Sequence, residues 1–422
     1  MRYLAAILIG RLIRVAVRLI RPGGGSALPG LVVSKLAPSL FYQTLSSFPS
    51  GYVAITGTAG KSTTTKMVVA IVRGHGVDVF TNPSTANIEQ GFFSSIIRNG
   101  NLLGKVPGSI AILEMDEAHA ASVAKNVKPS TSVILNILED QLDRFVDPAL
   151  VRETLSTVAE NTSGTVLLNA DDQNCLQISS KGNFSSSVIW FGFSEKELKS
   201  SNLQYAPTYL SALPKPTTSV SLTSQNDREI TVLVDSATVS FRLPSRGAHF
   251  ALDAVAAIAT AKEILGKSFD AELAASILDL LPPVFSRGEV REVDGESIEF
   301  ILVQNPASLQ LNLDNLESDV EQVFFAIGRD VHDPSWLWTV NYDKLPQVKM
   351  LSGFNYADAA LVLKYNGTQV DRVEADYFKA IDEFLALPKP NRGIKTVLYS
   401  ADAMRRLRRY KGFTDPEDVS RA

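Results

Sequence analysis

Between Gly57 and Thr63 the chain reads GTAGKST, two glycines and a lysine followed by hydroxyl side chains, inside the longer segment AITGTAGKSTTTKMVVAIV that begins at Ala54. A β-branched run enters the glycines and a helical pattern leaves them, so the free N–H groups and dipole of a helix start face the turn and favour an anion there. In such a loop Gly57, Thr58 and Gly60 let the backbone approach phosphate oxygens, Lys61 sets a cation on them, and Ser62 or Thr63 reaches Mg²⁺. Ile55 stands where the general G-x-x-x-x-G-K-[ST] pattern has glycine, so the expected loop is a variant of that pattern. The bland alternative, a chance Gly-Lys-Ser turn, does not account for the strand before and the helix after. Downstream, LEMDE ends an apolar run on Glu114, with Asp116 and Glu117 close behind. Carboxylates at the carboxyl edge of a parallel strand suit Mg²⁺ bridging nucleotide phosphates, although a solvated acidic loop has the same composition. Asn136 follows a further apolar run and precedes Asp140, Gln141, Asp143 and Arg144, which also fit a solvated first turn of a helix.

The elements that must position these residues are legible as short runs. Strands are expected at Tyr52 to Thr56, Ile110 to Leu113, Ser132 to Leu135, Thr165 to Leu168, Val188 to Phe191, Glu299 to Val303, Val323 to Ile327, Ala360 to Leu363 and Thr396 to Tyr399. Most are β-branched and do not alternate, the pattern of strands buried on both faces, and their alternation with helical stretches implies α/β architecture with parallel sheets. Ser200 to Arg246 departs from this: it is Ser/Thr-rich, carries Pro207, Pro214 and Pro216, and then alternates through Ile230 to Val234 and Val239 to Leu243, as in a small β excursion within the first large domain. Leu281-Pro282-Pro283 reads as a hinge, because each proline removes a donor and biases its predecessor away from helix. The expected organisation is an N-terminal amphipathic helix and glycine-rich lead-in over 1–45, a nucleotide-binding α/β domain over 46–282 and a second α/β domain over 283–422.

Composition sets the outer limits. The 422 residues are 45% hydrophobic and 20% charged, ordinary for two or three folded domains, and the formal charge of -4 argues against a nucleic-acid binder, which needs a basic face. Cys175 is the single cysteine and His75, His119, His249 and His332 are dispersed, so no internal disulfide framework and no closed zinc site is expected. In the first twenty residues Arg11, Arg14 and Arg18 interrupt the apolar run at helical spacing, leaving nothing close to the roughly 20 apolar residues that span a bilayer. The amphipathic helix expected there is read first as packed on the protein's own body and second as an interfacial helix on an anionic membrane surface. A cleaved signal peptide is disfavoured, since no small-residue cleavage site follows.

The motifs GTAGKST, TNPSTAN, LEMDE, NILEDQLDRF, LNADD and GAHFALDAVAAIA stand in the order and approximate spacing of the central domain of Mur ligases, the enzymes that build peptidoglycan stem peptides, and this chain resembles them. Further on, SRGE at Ser286, LVQNPAS at Leu302, DPSWLW at Asp333 and LSGFNYADAALVLKY at Leu351 resemble the C-terminal domain of the MurT family, synthetase subunits of lipid II isoglutaminyl synthase. The resemblance implies a Mur ligase-type central domain followed by a Rossmann-like C-terminal domain, with ATP and Mg²⁺ as cofactors. It implies ATP-dependent phosphorylation of the D-glutamate α-carboxylate of lipid II, and displacement of phosphate by ammonia to give D-isoglutamine. It also implies a heterodimer in the cytoplasm, at or near the inner face of the membrane, with a GatD-like glutamine amidotransferase subunit that supplies the ammonia. Carried over by position, Gly57, Thr58, Gly60, Lys61, Ser62 and Thr63 bind phosphates, with Ser62 and Glu114 on Mg²⁺. Asn87, Asn136, His249, Arg287 and Asn305 line the nucleotide site, while Lys61 and Glu114 take part in the chemistry. Asp333 is implied to complete the partner's glutaminase site, with Asp330 in reserve.

The chain departs from the family pattern at several positions. Ala59 and Ser62 replace Asn and Thr, Phe250 follows His249 where Asn is usual, Gln304 replaces a lysine, Thr339 replaces an aspartate, and the four-cysteine zinc ribbon is missing. Two other function classes therefore stay in view: a stand-alone Mur or folylpolyglutamate-type amino-acid ligase, and a degenerate nucleotide-binding scaffold.

Overall fold

Residues that bury β-branched side chains on both faces form the central strands of two sheets. The computed structural model describes residues 2–20, 27–82, 89–138, 148–182, 185–194, 214–282, 287–316, 320–345 and 347–413. They fall into two compact units, the first within Met1–Leu138, Asp147–Leu243 and His249–Leu281, the second within Pro244–Ala248 and Pro282–Ala422.

In the first unit nine strands form one sheet: β1 (Tyr52–Thr56), β2 (Val79–Thr81), β3 (Ile110–Glu114), β4 (Thr131–Ile134), β5 (Thr165–Asn169), β6 (Ser187–Phe193), β7 (Val220–Asn226), β8 (Glu229–Val234) and β9 (Ala237–Arg242). Their order is β2-β3-β1-β4-β5-β6-β7-β8-β9, parallel from β2 to β7 and antiparallel beyond. Every residue of β1, β3, β4 and β5 is buried, which explains their unbroken apolar character. After β1 the chain passes over one position to β2 at the edge, returns inward to β3 beside β1, then crosses to β4 on the other side of β1. The carboxyl ends of β1 and β4 therefore diverge, the switch point where open α/β sheets take ligands. The alternating segment expected as a small β excursion is an extension of this same sheet, with β8 and β9 burying every second residue at its edge. Of the stretch from Ser200, positions 200–213 lie outside the described residues.

In the second unit β10 (Arg287–Val293), β11 (Glu296–Leu302), β12 (Val323–Ile327), β13 (Met350–Gly353) and β14 (Lys395–Tyr399) are ordered β10-β11-β14-β12-β13, with only β10 antiparallel. Strand alternation divides its core: Val323, Phe325 and Ile327 join one apolar cluster, Phe324 and Ala326 the other. The strand expected at Ala360 to Leu363 is instead part of the helix Tyr356–Tyr365. Ala359, Val362 and Leu363 point inward while Leu361 is exposed, a helical spacing that four apolar letters in a row conceal.

Candidate functional site

β1 delivers the chain into a turn that only glycine can make without strain. Gly57 has φ of +130° and Gly60 +84°, backbone regions that L side chains rarely adopt. Space is lacking as well: a Cβ on Gly57 would come within 3.0 Å of the Asn136 backbone N and O, and one on Gly60 would run into the Asp253 carboxylate. The helix Lys61–Gly74 starts directly after Gly60 with no side-chain cap, so its first N–H groups stay turned to the loop.

Three side chains reach across the start of this helix. Ser62 Oγ donates to Glu114 Oε1 at 2.9 Å, and both residues are buried. Lys61 Nζ donates to the carbonyl oxygens of Gly57 and of Thr58, the latter at 3.2 Å, and pairs with Glu117 at 2.9 Å. Burial works against its charge, but the carboxylates of Glu117, Glu114 and Asp116 outweigh that and hold the ammonium's pKa above its ordinary value. Thr64 Oγ1 donates to Asp253 Oδ1 at 3.3 Å.

The loop after β4 clamps the turn from the other side of the switch point. Ala59 N donates to Asn136 Oδ1 at 2.8 Å and Asn136 Nδ2 returns a bond to Ala59 O at 3.1 Å. Thr58 N donates to Asn136 O at 3.0 Å, and Leu138 N to Thr58 Oγ1 at 3.1 Å. This clamp is itself held from behind by the LNADD segment. Asn169 Nδ2 donates to Leu135 O at 3.0 Å, and Asp172 accepts from Ile137 N at 2.7 Å while capping the helix Gln173–Lys181. On the opposite side Asn82 exchanges two 3.0 Å bonds with the Glu114 backbone, fixing where β3 ends.

The structure thus brings Gly57, Thr58, Gly60, Lys61, Ser62, Glu114 and Asn136 together. Thr63, on the same first turn, is buried. His249 opens the helix Ala248–Leu265 with its ring 4.2 Å from that of Phe250. Asn87 and the cluster Asp140, Gln141, Asp143 and Arg144 lie outside the described residues. Arg287 and Asn305 belong to the second unit. Arg287 begins β10, and Asn305 caps the helix Pro306–Asp314 in a reciprocal box with Ser308. Asp330 is committed to the fold, its carboxylate accepting from Ser400 Oγ at 2.6 Å, Ala401 N at 2.9 Å and Asp402 N at 3.0 Å. Asp333 is exposed at the start of the 3₁₀ turn Pro334–Thr339, where the Ser335 hydroxyl and N–H lower its pKa. Reading by motif alone passed over Asp253, Asn82 and Asp172. The signal for Asp253 was its place one helical turn after His249 in GAHFALD.

Chemically, the loop is a cradle of backbone N–H groups with one ammonium beside it, and the Ser62 hydroxyl against the Glu114 carboxylate offers two hard oxygen donors. That pair fits Mg²⁺, and among the described residues no group of three His, Cys, Asp or Glu side chains could hold a metal. A cation here would complete its shell from phosphate and water, the usual arrangement for this ion.

Residues 55–261 match the family model of the Mur ligase middle domain and residues 302–401 that of the MurT ligase C-terminal domain. The chain is 25% identical over 395 residues to the MurT subunit of lipid II isoglutaminyl synthase (glutamine-hydrolyzing) of Streptococcus pneumoniae, covering 84% of this chain and 85% of that one. It is 31% identical over 172 residues to the Staphylococcus aureus subunit of the same name, covering 41% and 38%. The fold is similar to that of MurF ligase from Thermotoga maritima, solved with ADP, with a TM-score of 0.65 at 18% identity, covering 91% of this chain and 84% of that one. The Mur ligase middle-domain match and the similarity to MurT subunits together mark an ATP-dependent ligase of the Mur ligase type. Within that class the chain is similar to the MurT-type ligases, its residues 302–401 matching their C-terminal domain and its sequence resembling the pneumococcal subunit along most of both chains.

Proposed function

We propose that the chain amidates the D-glutamate α-carboxylate of the lipid II stem peptide, acting as the synthetase half of a complex with a glutaminase subunit. The observation that carries this reading is the coexistence, in one chain, of the Lys61/Ser62/Glu114 phosphate site with a MurT-type C-terminal domain. Glu114 and Ser62 would hold Mg²⁺, which would supply positive charge to the nucleotide phosphates, and Lys61 exchanges its present acceptors for γ-phosphate oxygens as charge builds on them. A substrate carboxylate oxygen attacks the γ-phosphorus and ADP leaves, giving an acyl phosphate. Ammonia then attacks the acyl carbon, phosphate departs with the C–O electron pair, and the nitrogen loses a proton to leave the carboxamide. Ammonia comes from glutamine hydrolysed in the partner, whose catalytic histidine Asp333 orients.

The test is to purify the chain with a candidate glutaminase, supply ATP, Mg²⁺, glutamine and lipid II, and measure the product by mass. Conversion of one carboxyl to a carboxamide, with one ADP formed per amide, is the expected result. A product enlarged by an amino-acid residue would identify an amino-acid ligase, and binding of ATP without turnover on any muramyl-peptide acceptor would identify a scaffold.

A further inference from the structure

The N-terminal helix Arg2–Ile20 is apolar on two sides, and only one of them is covered. Its inner side is seated on the first unit: Ala6 and Ile7 are buried, and Gly10 lies so near Val33 and Ile97 that a Cβ there would meet their side chains at 2.7 and 2.9 Å. Arg11 fastens it, donating to Ile97 O at 3.3 Å and Gly100 O at 2.5 Å at the end of the helix Glu89–Asn99. On the outer side Leu4, Leu8, Leu12 and Val15 recur at helical spacing and are 38%, 42%, 70% and 58% exposed. The neighbouring helix Ala27–Leu36 adds exposed Leu28 and Leu31, and the turn that Arg11 grips adds Leu103, 70% exposed.

We propose that this outer face lies on an anionic lipid surface. Charge selects that occupant. Besides Arg11, which is turned inward, the first 36 residues hold Arg2, Arg14, Arg18, Arg21 and Lys35, and no Asp or Glu occurs before Asp78, in a chain whose formal charge is -4. Positive charge beside an outward leucine stripe is the pattern of a helix lying in a lipid headgroup layer, its leucines in the acyl boundary and its cations among phosphates. A second copy of this chain would instead bring two such segments face to face and set their cations against each other. No helix among the described residues is long and apolar enough to cross a membrane, so the contact is with its surface. The proposal does not depend on the reaction proposed above.

Co-sedimentation of the full chain with vesicles tests it. Vesicles of mixed phosphatidylglycerol and phosphatidylcholine should carry the protein down, less so as salt is raised, and pure phosphatidylcholine vesicles should carry little. Leu8→Glu combined with Leu12→Glu should lower partition at least about tenfold while thermal unfolding stays unchanged. Should that pair disturb the fold, Leu12→Ser alone should still lower it measurably. Arg18→Gln with Arg21→Gln should weaken binding to the anionic vesicles only. Wild-type protein left in the supernatant of anionic vesicles would overturn the proposal, as would partition indifferent to the leucine substitutions. Light scattering that shows a dimer converted to monomer by Leu8→Glu/Leu12→Glu would assign the face to a second copy instead.

Discussion

Lys61 has two sets of acceptors to serve. In the structure its ammonium is satisfied by two loop carbonyls and by Glu117 at 2.9 Å, and the nearby carboxylates keep it charged despite burial. A bound γ-phosphate competes for the same three N–H donors. Because that competition is strongest in the transition state, Lys61→Ala should lower ATP-dependent turnover by roughly 10²- to 10³-fold. The fold should lose about 2–3 kcal/mol, because Glu117, only 11% exposed at its side chain, is left without its cation. Phosphate release assays and calorimetry on the same variant separate the two effects, and unchanged turnover would remove Lys61 from the site. His119 makes a second residue-scale case. It stacks on Phe92 with ring centroids 5.4 Å apart, and burial pushes its pKa down to about 4. An unfolded chain takes up that proton near pH 6.5 and the native chain does not. The histidine therefore carries no protonation cost above pH 6.5 and destabilises the fold progressively as pH falls toward 4, by at most about 3 kcal/mol. His119→Phe, which preserves the stack, should leave stability at neutral pH nearly unchanged and flatten the acid limb of a stability-against-pH curve. An identical acid limb in the variant would show that the pH sensitivity lies elsewhere.

At the scale of elements, the site is the meeting of two loops at the switch point of one sheet. On the side of the turn after β1 that a Gly60 side chain would occupy stands the Asp253 carboxylate, and the loop after β4 binds the turn through both the backbone and the side-chain amide of Asn136. Gly60→Ala therefore adds a methyl group where a carboxylate already stands, on a residue whose φ is +84°. A destabilisation of about 1–3 kcal/mol is expected, together with an affinity for nucleotide reduced at least about tenfold. Thermal unfolding with and without ATP, each read against wild type, checks both, and a variant of wild-type stability and affinity would mean that the loop relaxes freely.

At the scale of the whole molecule, the exposed Asp333 on the second unit is the residue whose proposed role needs another chain. An asparagine caps a helix start about as well as an aspartate, so Asp333→Asn should leave the fold of the 3₁₀ turn intact. It should abolish glutamine-dependent amidation in the two-subunit complex and spare amidation driven by added ammonium. Equal loss with both nitrogen sources would mark a structural role, and full retention would remove Asp333 from the mechanism. The lone Cys175 is buried beneath Ile134 O, and elemental analysis of the untagged chain should find no stoichiometric zinc. A molar equivalent of zinc would contradict this.

Local spacing was enough to make the strand, glycine turn and helix around Lys61 readable, because each depends on neighbours a few residues away: β-branched runs, positive φ at glycine, an uncapped helix start. The doubly buried strands were readable for the same reason. What spacing could not supply was β2, β7, β10 and β13, which are short, lie at an edge or mix polar residues with apolar ones, and exist only because a neighbouring strand completes their hydrogen bonds. Nor could it tell that Leu361 faces water between buried neighbours, which makes Tyr356–Tyr365 a helix. The site divides along the same line. Lys61, Ser62 and Glu114 are recognisable by type, but Asp253 reaches Thr64 from 189 residues away and Asn136 reaches Ala59 from 77. Such contacts are created by the crossing order of the strands and by the helix packed beside them, and no local pattern encodes a proximity that only the assembled domain produces.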